Sequence, residues 1–242
     1  LGKPALAPKN KEKACDLKML RGDALLRNKQ KAESADAYEE GVDACKDTPR
    51  HVEALFLAGK GLASTGRIPQ GTKRLEEVEK LYPTHKLADD ARVRRAMTAL
   101  ANGDELTYAK LLTSLPDDYP QGSSVNDGLF ELAVHYAEKK LWAAAIIPLT
   151  RAVAIEKDKR ERVYYASGRF GYFLGRALIE TGSEDKGKEY LAGVIENYPL
   201  SYYMSLAYAR LHERDAAAAK KALDGAVARE AAEPFYVPPH PA

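Results

Sequence analysis

The chain has 242 residues, 45% of them apolar and 30% charged, with 37 Lys and Arg set against 35 Asp and Glu. A formal charge of +2 is too balanced for the electrostatic footprint that polyanion binding leaves, so no nucleic-acid partner is expected. No apolar run approaches the roughly 18 residues a spanning helix needs, so no membrane span is expected either.

The chain opens Leu1-Gly2-Lys3-Pro4, without an initiator Met or an apolar h-region, which reads as a processed mature chain or an excised fragment. Residues 1–16 are expected to form an N-terminal extension. From Leu17 onward the sequence is a succession of amphipathic helical segments, and strand alternation nowhere lasts more than a few residues. Turn signals at Asn28 to Gln30, Gly66 to Pro69, Asn102 to Gly103, Lys139 to Leu141 and Gly182 to Ser183 divide these segments into pairs.

Pro49, Pro83, Pro120 and Pro199 end amphipathic stretches and lie 34, 37 and 79 residues apart, the last gap being about two units. The period is that of helix-pair repeats. Positions 12, 8 and 5 before each proline give Ala37, Gly41, Ala44; Gly71, Leu75, Val78; Tyr108, Leu112, Leu115; and Gly187, Leu191, Val194. Each triplet is one helical face. Two further sets, Ala145, Leu149, Ala152 and Ala219, Leu223, Ala226, continue the pattern without a proline. Twelve residues before the first member of each triplet stand Leu25, Gly59, Ala96, Ala133, Gly175 and Ala207, and five of these six are Gly or Ala. Small residues there let two antiparallel helices approach closely.

The fifth pair is expected to start with a longer helix, Glu161 to Thr181, with Gly168, Gly171 and Gly175 inside it among Tyr164, Tyr165, Phe170, Tyr172 and Phe173. At helical spacing this aromatic stripe reads as core, a ligand platform being the other reading. Beyond residue 230, Pro234, Pro238, Pro239 and Pro241 crowd the end of the sequence. Residues 231–242 read as a Pro-rich linker towards a further C-terminal domain.

The layout resembles the tetratricopeptide repeat, with a small residue in the first helix, another twelve later in the second, and a proline twelve beyond that. Only Tyr136 stands where the family's first helix carries a tyrosine, and Trp142 occupies no signature position. The resemblance implies an all-α fold, an α-solenoid of about six antiparallel helix pairs over residues 17–230, forming a tetratricopeptide-like superhelix with a concave face built largely from the first helices of the pairs.

Candidate chemistry is sparse. His51, His85, His135, His212 and His240 fall in different units, none with partners at zinc-ligand spacing on both sides, so no metal is expected. No phosphate-cradling or dinucleotide fingerprint occurs, and no cofactor is expected. Arg92, Arg94 and Arg95 are spread around a helix and read as solvated surface. Cys15 and Cys45 are equidistant from the turn at residue 30, so hairpin packing brings them to the same end. The pair reads as a disulfide, worth about 3 to 4 kcal/mol and requiring an oxidising compartment; two buried thiols acting as small apolar residues is the alternative.

One stretch carries a narrower resemblance. Leu174, Arg176-Ala177-Leu178, Gly182, Tyr190, Tyr198-Pro199-Leu200-Ser201-Tyr202-Tyr203, Ala207 and Arg210-Leu211 resemble the end of the superhelical region of soluble lytic transglycosylases. The resemblance implies a periplasmic enzyme of the bacterial cell envelope that cleaves peptidoglycan with a glutamic acid in a separate lysozyme-like domain. That domain's Gly-Leu-Met-Gln hallmark does not occur here, and Glu33-Ser34 has no partner motif, so no catalytic residue is assigned. The expected function is therefore a non-catalytic scaffold that orients the wall polymer or the catalytic domain, with peptidoglycan or envelope proteins as partners. The alternative is a free-standing interaction adaptor of the envelope. Tyr164 and Arg169 are the candidate groove contacts, because the apolar face through Val163, Ala166, Phe170, Phe173, Leu174 and Ala177 leaves them to one side.

Overall fold

A computed structural model of the chain describes residues 8–158 and 166–232. Twelve α-helices and no strand occupy the described residues. They are α1 (Pro8–Arg27), α2 (Lys31–Cys45), α3 (His51–Ser64), α4 (Ile68–Leu81), α5 (Ala88–Ala101) and α6 (Glu105–Asp118), then α7 (Val125–Glu138), α8 (Trp142–Asp158), α9 (Arg169–Glu180), α10 (Glu184–Asn197), α11 (Tyr202–Arg214) and α12 (Ala216–Ala232). The chain divides within α7 into two compact units, one ending at Gly128 and the other beginning at Leu129.

Five turns between paired helices share one geometry. The amides of Gln30, Arg67, Asp104, Leu141 and Ser183 donate to the carbonyls of Leu25, Leu62, Ala99, Tyr136 and Leu178 at 2.8–2.9 Å. The residue before each donor, Lys29, Gly66, Gly103, Lys140 or Gly182, has φ between 59° and 87°. This is the Schellman ending, in which a left-handed residue lets the chain reverse while capping orphan carbonyls. The helix ends facing the next pair are equally uniform at Tyr82, Tyr119 and Tyr198, which have φ of −134°, −133° and −129°. Each precedes a proline, whose ring disfavours a helical conformation in the residue before it.

In the first unit, the core runs through Met19, Tyr38, Val42, Leu55, Ala58, Leu62, Leu75, Val78 and Ala91, all buried. Where glycine stands at the crossing of a helix pair, the close approach is visible. A Cβ on Gly71 would stand 2.6 Å from the Gly59 carbonyl oxygen. In the first pair that role falls to Gly22 and Ser34, not to Leu25 and Ala37: the Ser34 hydroxyl donates to the Gly22 carbonyl at 2.8 Å, and a Gly22 Cβ would collide with the Tyr38 ring. The proline-anchored frame is thus three residues out there. The connection from Lys46 to Arg50, with Asp47 at φ 64°, sets Pro49 further from the helix pair than the other prolines. The expected boundary between residues 16 and 17 also falls inside α1, because Cys15 and Met19 are both fully buried.

Charge ties successive pairs of this unit together. The Glu79 carboxylate of α4, only 9% exposed, receives Arg92 and Arg95 of α5 and the Tyr119 hydroxyl at 3.1 Å. Arg92 also donates to Asp118 at 2.7 Å and to Ser114 at 2.8 Å. Burial alone would lower the Arg92 pKa, but its bonds to Asp118 and Glu79 raise it. Tyr119 is pushed up to about 12 by burial and then by the Glu79 charge. Arg92 and Arg95 are therefore fixed in a partly buried ion-pair network, and only Arg94 of that basic cluster is exposed.

The second unit buries Leu132, Leu149, Phe170, Leu174, Leu191, Val194, Ala207, Leu211, Ala219 and Ala226. Its Gly175–Gly187 approach repeats that of Gly59 and Gly71, a Gly187 Cβ standing 2.7 Å from the Gly175 oxygen. In α12 the buried register is Ala219, Ala222 and Ala226, with Leu223 only partly covered.

Candidate functional site

Cys15 of α1 and Cys45 of α2 are joined by a disulfide, with their Cα atoms 4.6 Å apart and no exposed surface on either residue. Its place is dictated by the first hairpin, which brings the N-terminal half of α1 beside the end of α2. Thr48 adds a hydroxyl bond to the Cys45 carbonyl at 2.7 Å, closing the loop that leads to α3.

Tyr164 lies outside the described residues. Arg169 opens α9, which is shorter than the expected helix from Glu161: among the described residues, the helix begins only after Gly168. Gly168 is not helical but caps α9 at φ 82°. A Cβ there would lie 2.9 Å from the Tyr198 ring and from Val194, so both backbone angle and space demand glycine. Gly171 and Gly175 do lie inside the helix.

Glu156, near the end of α8, meets this cap. Its carboxyl is raised by burial, against the opposing hydrogen bonds from the Tyr198 side chain and the Gly168 backbone and the nearby Arg169 charge. The Tyr198-Pro199 junction singled out in the sequence is thereby fastened to α8 and to the start of α9. Pro199 does not itself start a helix. Leu200 adopts φ 64°, and Ser201 is the N-cap of α11, its hydroxyl accepting from the Met204 amide at 3.0 Å.

From that cap, α9 presents a row of aromatic and arginine side chains towards α7 and α11. Arg169 Cζ lies 4.7 Å from the Phe130 ring centroid and 4.6 Å from that of Phe170. Phe173 meets Phe130 edge-on at 5.4 Å and Tyr203 at 6.3 Å. Tyr172 meets Phe173 at 5.3 Å and Tyr203 at 5.7 Å. Arg176 Cζ stands 5.0 Å from the Trp142 ring, 5.8 Å from Phe173 and 5.9 Å from Tyr172. Phe170 and Tyr172 are buried core; Phe130, Phe173, Tyr203, Trp142 and both arginines are partly exposed. The stripe is therefore core on one side and surface on the other. Trp142 and Arg176 were not singled out as a pair from sequence, because 34 residues separate them and only the packing of α8 on α9 joins them.

Among the described residues, no group of three or more His, Cys, Asp or Glu side chains is arranged to hold a metal ion, and no helix is long and apolar enough to cross a membrane. Glu33 is exposed on α2, while its neighbour Ser34 serves the helix crossing described above.

The tetratricopeptide repeat family model matches residues 174–201, the stretch running from α9 through α10 to the Tyr-Pro junction. No curated protein matches the chain by sequence. By structure, the chain is similar to the crystal structure of MamA protein, with a TM-score of 0.53 at 16% identity, over 94% of this chain and 100% of that one. It is also similar to MamA 41-end from Desulfovibrio magneticus RS-1, at TM-score 0.50, 18% identity and coverage of 79% and 96%. The nearly identical TPR-like repeats of a kinesin light chain from Podosopora anserina match at TM-score 0.53 and 18% identity, over 78% of this chain and 95% of that one. At these identities the likeness is one of fold, and with the shared turn geometry and small-residue crossings it makes this an all-α protein of tetratricopeptide-like helical repeats.

Proposed function

We propose that the chain is the non-catalytic helical scaffold of a periplasmic peptidoglycan lytic transglycosylase, holding the wall polymer or the domain that cleaves it. The observation that carries this reading is the Tyr198-Pro199 to Tyr203 junction. The sequence there resembles the corresponding segment of that enzyme family, and the structure gives its residues defined duties. Tyr198 binds Glu156, Ser201 caps α11 and Tyr203 packs on Tyr172. The Cys15–Cys45 disulfide supports an oxidising compartment, as the periplasm is. Repeat folds of this kind act by presenting extended surfaces to partners.

The test is co-sedimentation of the purified chain with insoluble peptidoglycan sacculi, with soluble products analysed for anhydromuropeptides. Retention on sacculi without release of anhydro products is the expected result. Failure to sediment, in buffers where circular dichroism shows the helices intact, would overturn wall binding and favour a protein adaptor of the envelope.

A further inference from the structure

The first helix, α1, carries an apolar row on a side that no described residue covers. Leu17 and Leu20 are 69% and 60% exposed, Ala24 is exposed beside them, and Lys13 and Arg27 continue the row at either end. Gly22 holds in the first pair the place of Gly59 in the second, so Leu17, Leu20 and Ala24 correspond to Ala54, Leu57 and Gly61 of α3. On α3 that face is packed against the preceding pair: Ala54 is fully buried, Leu57 lies on the core, and a Cβ on Gly61 would stand 3.0 Å from that of Ala35 on α2. The same face on α1 is shaped for a helix and left open among the described residues. A surface depression runs along it, lined by Leu20, Asp23, Ala24, Arg27 and Asn28.

We propose that this face joins α1 to the α1 of a second copy of the chain, parallel and related by a two-fold axis. Lys13, Leu17, Leu20, Ala24 and Arg27 are spaced 4, 3, 4 and 3 apart, the alternation of positions a and d in a two-stranded coiled coil, with Leu17 and Ala24 at a and Leu20 at d. In such a pair a side chain from one helix enters a hole made by four residues of the other. Leu20, Asp23, Ala24 and Arg27 stand at d, g, a and d, the four corners of the hole that receives an a residue from a parallel partner, and they are four of the five residues lining the depression. Charge fixes the direction. Parallel helices set each g residue beside the e residue five places further along the partner, which brings Asp16 to the partner's Arg21 and Asp23 to the partner's Asn28. An antiparallel partner would set Asp16 and Asp23 against each other. Asp16 and Arg21 are more than half exposed, so their pairs with Arg50 and Glu40 within the chain leave them open to the partner. Head-to-tail stacking is disfavoured, because the exposed side of α12, with Ala216, Ala217, Lys220, Lys221 and Asp224, offers a following helix little apolar surface. The contact uses one helix from each copy and sets like charges together at Lys13 and Arg27, which places it among small, reversible interfaces of less than about 1,200 Å². The proposal is independent of wall binding, although two joined copies would gain avidity on a polymeric partner.

The experiment is sedimentation velocity of the intact, unreduced chain at physiological salt, from about 1 µM to about 500 µM. A concentration-dependent shift from monomer to dimer is expected, with growth stopping at the dimer. Leu20→Glu places a charge at the centre of the contact and is expected to raise the dissociation constant at least about tenfold, whereas Leu106→Glu, at an 86% exposed site on α6, is expected to change it less than about twofold. Should Leu20→Glu lose helicity, Leu17→Ser is expected to weaken the dimer several-fold in a folded chain. Orientation is read from Ala24→Cys, because parallel helices bring the two copies of position 24 within disulfide reach, Cα atoms about 6 Å apart. Mild oxidation is expected to give a covalent dimer of Ala24→Cys and none of Leu106→Cys. A monomer at every concentration, parental affinity in the Leu20 and Leu17 variants, assembly past the dimer, or an Ala24→Cys chain that does not cross-link would each overturn the proposal.

Discussion

Gly71 lies so close to Gly59 that a methyl group on its Cα would stand 2.6 Å from the Gly59 carbonyl oxygen and 2.5 Å from the Ala63 amide nitrogen. Both obstacles are backbone, so no side chain can rotate away. Gly71→Ala is expected to destabilise the first unit by about 2–3 kcal/mol. Gly187→Ala should do the same in the second, where the Gly175 oxygen is 2.7 Å from the new atom. Gly193→Ala is the control: it lies within α10 with its nearest obstacle, the side-chain Nδ2 of Asn197, at 3.8 Å, and should stabilise by about 0.5–1 kcal/mol through helix propensity. Urea midpoints at unchanged slope measure all three.

Lys29 and Lys140 hold the left-handed position that Gly66, Gly103 and Gly182 fill in the other turns. A Cβ in that conformation costs about 1–2 kcal/mol, part of which glycine returns through its greater freedom in the unfolded chain. Lys140→Gly and Lys29→Gly should each raise stability by about 0.5–1 kcal/mol. A fall in the melting temperature of either variant would contradict this.

The period of the repeat was legible because Tyr-Pro breaks and small residues are local signals. Twelve helices in pairs follow from them, as do the buried triplets Gly71, Leu75, Val78 and Gly187, Leu191, Val194. The first pair misled because Pro49 follows a longer connection, and a 3-residue shift on a helix keeps to the same face, so Ala37, Gly41 and Ala44 still looked right. Gly168 as a cap, the burial of Glu156 and the two arginines on Glu79 were not legible. Each depends on which side chains of packed helices meet, and that register is fixed by packing rather than by spacing along the chain.

The disulfide closes a loop with a sequence separation of 30. Constraining the unfolded chain over such a loop is worth about 3–4 kcal/mol in the loop-entropy account. Reduction, or the double substitution Cys15→Ala and Cys45→Ala, should lower stability by that amount. Free-thiol titration of the unreduced, denatured protein should find no reactive sulfhydryl, and two would refute the pairing.

Tyr38 and Tyr119 are both raised to about 12, chiefly by burial and then by neighbouring carboxylates, Asp23 and Glu79. The unfolded value is about 10, so the folded state holds these protons more tightly. The stability they contribute is fully present below pH 10 and is lost as pH rises from 10 towards 12. Absorbance at 295 nm should therefore show most of the 14 tyrosines ionising near pH 10 and a late fraction ionising together with the loss of helical signal. In Glu79→Gln the Tyr119 part of that late fraction should move to lower pH.

Glu79 offers the sharpest test of how successive pairs are held together. Its carboxylate is 9% exposed and accepts from Arg92, Arg95 and Tyr119, so neutralising it leaves two partly buried guanidinium groups facing an amide. Arg92 retains Asp118 and Arg95 retains Glu76, which tempers the loss. Breaking one side of a buried pair costs about 3–5 kcal/mol; with those remaining partners, Glu79→Gln is expected to cost about 2–3 kcal/mol. Arg94→Ala, from the exposed side of α5, should stay within about 0.5 kcal/mol of the parent. A Glu79→Gln protein that unfolds at the parental urea midpoint would mean that apolar packing alone joins α4 to α5, and that the arginines are only surface charge after all.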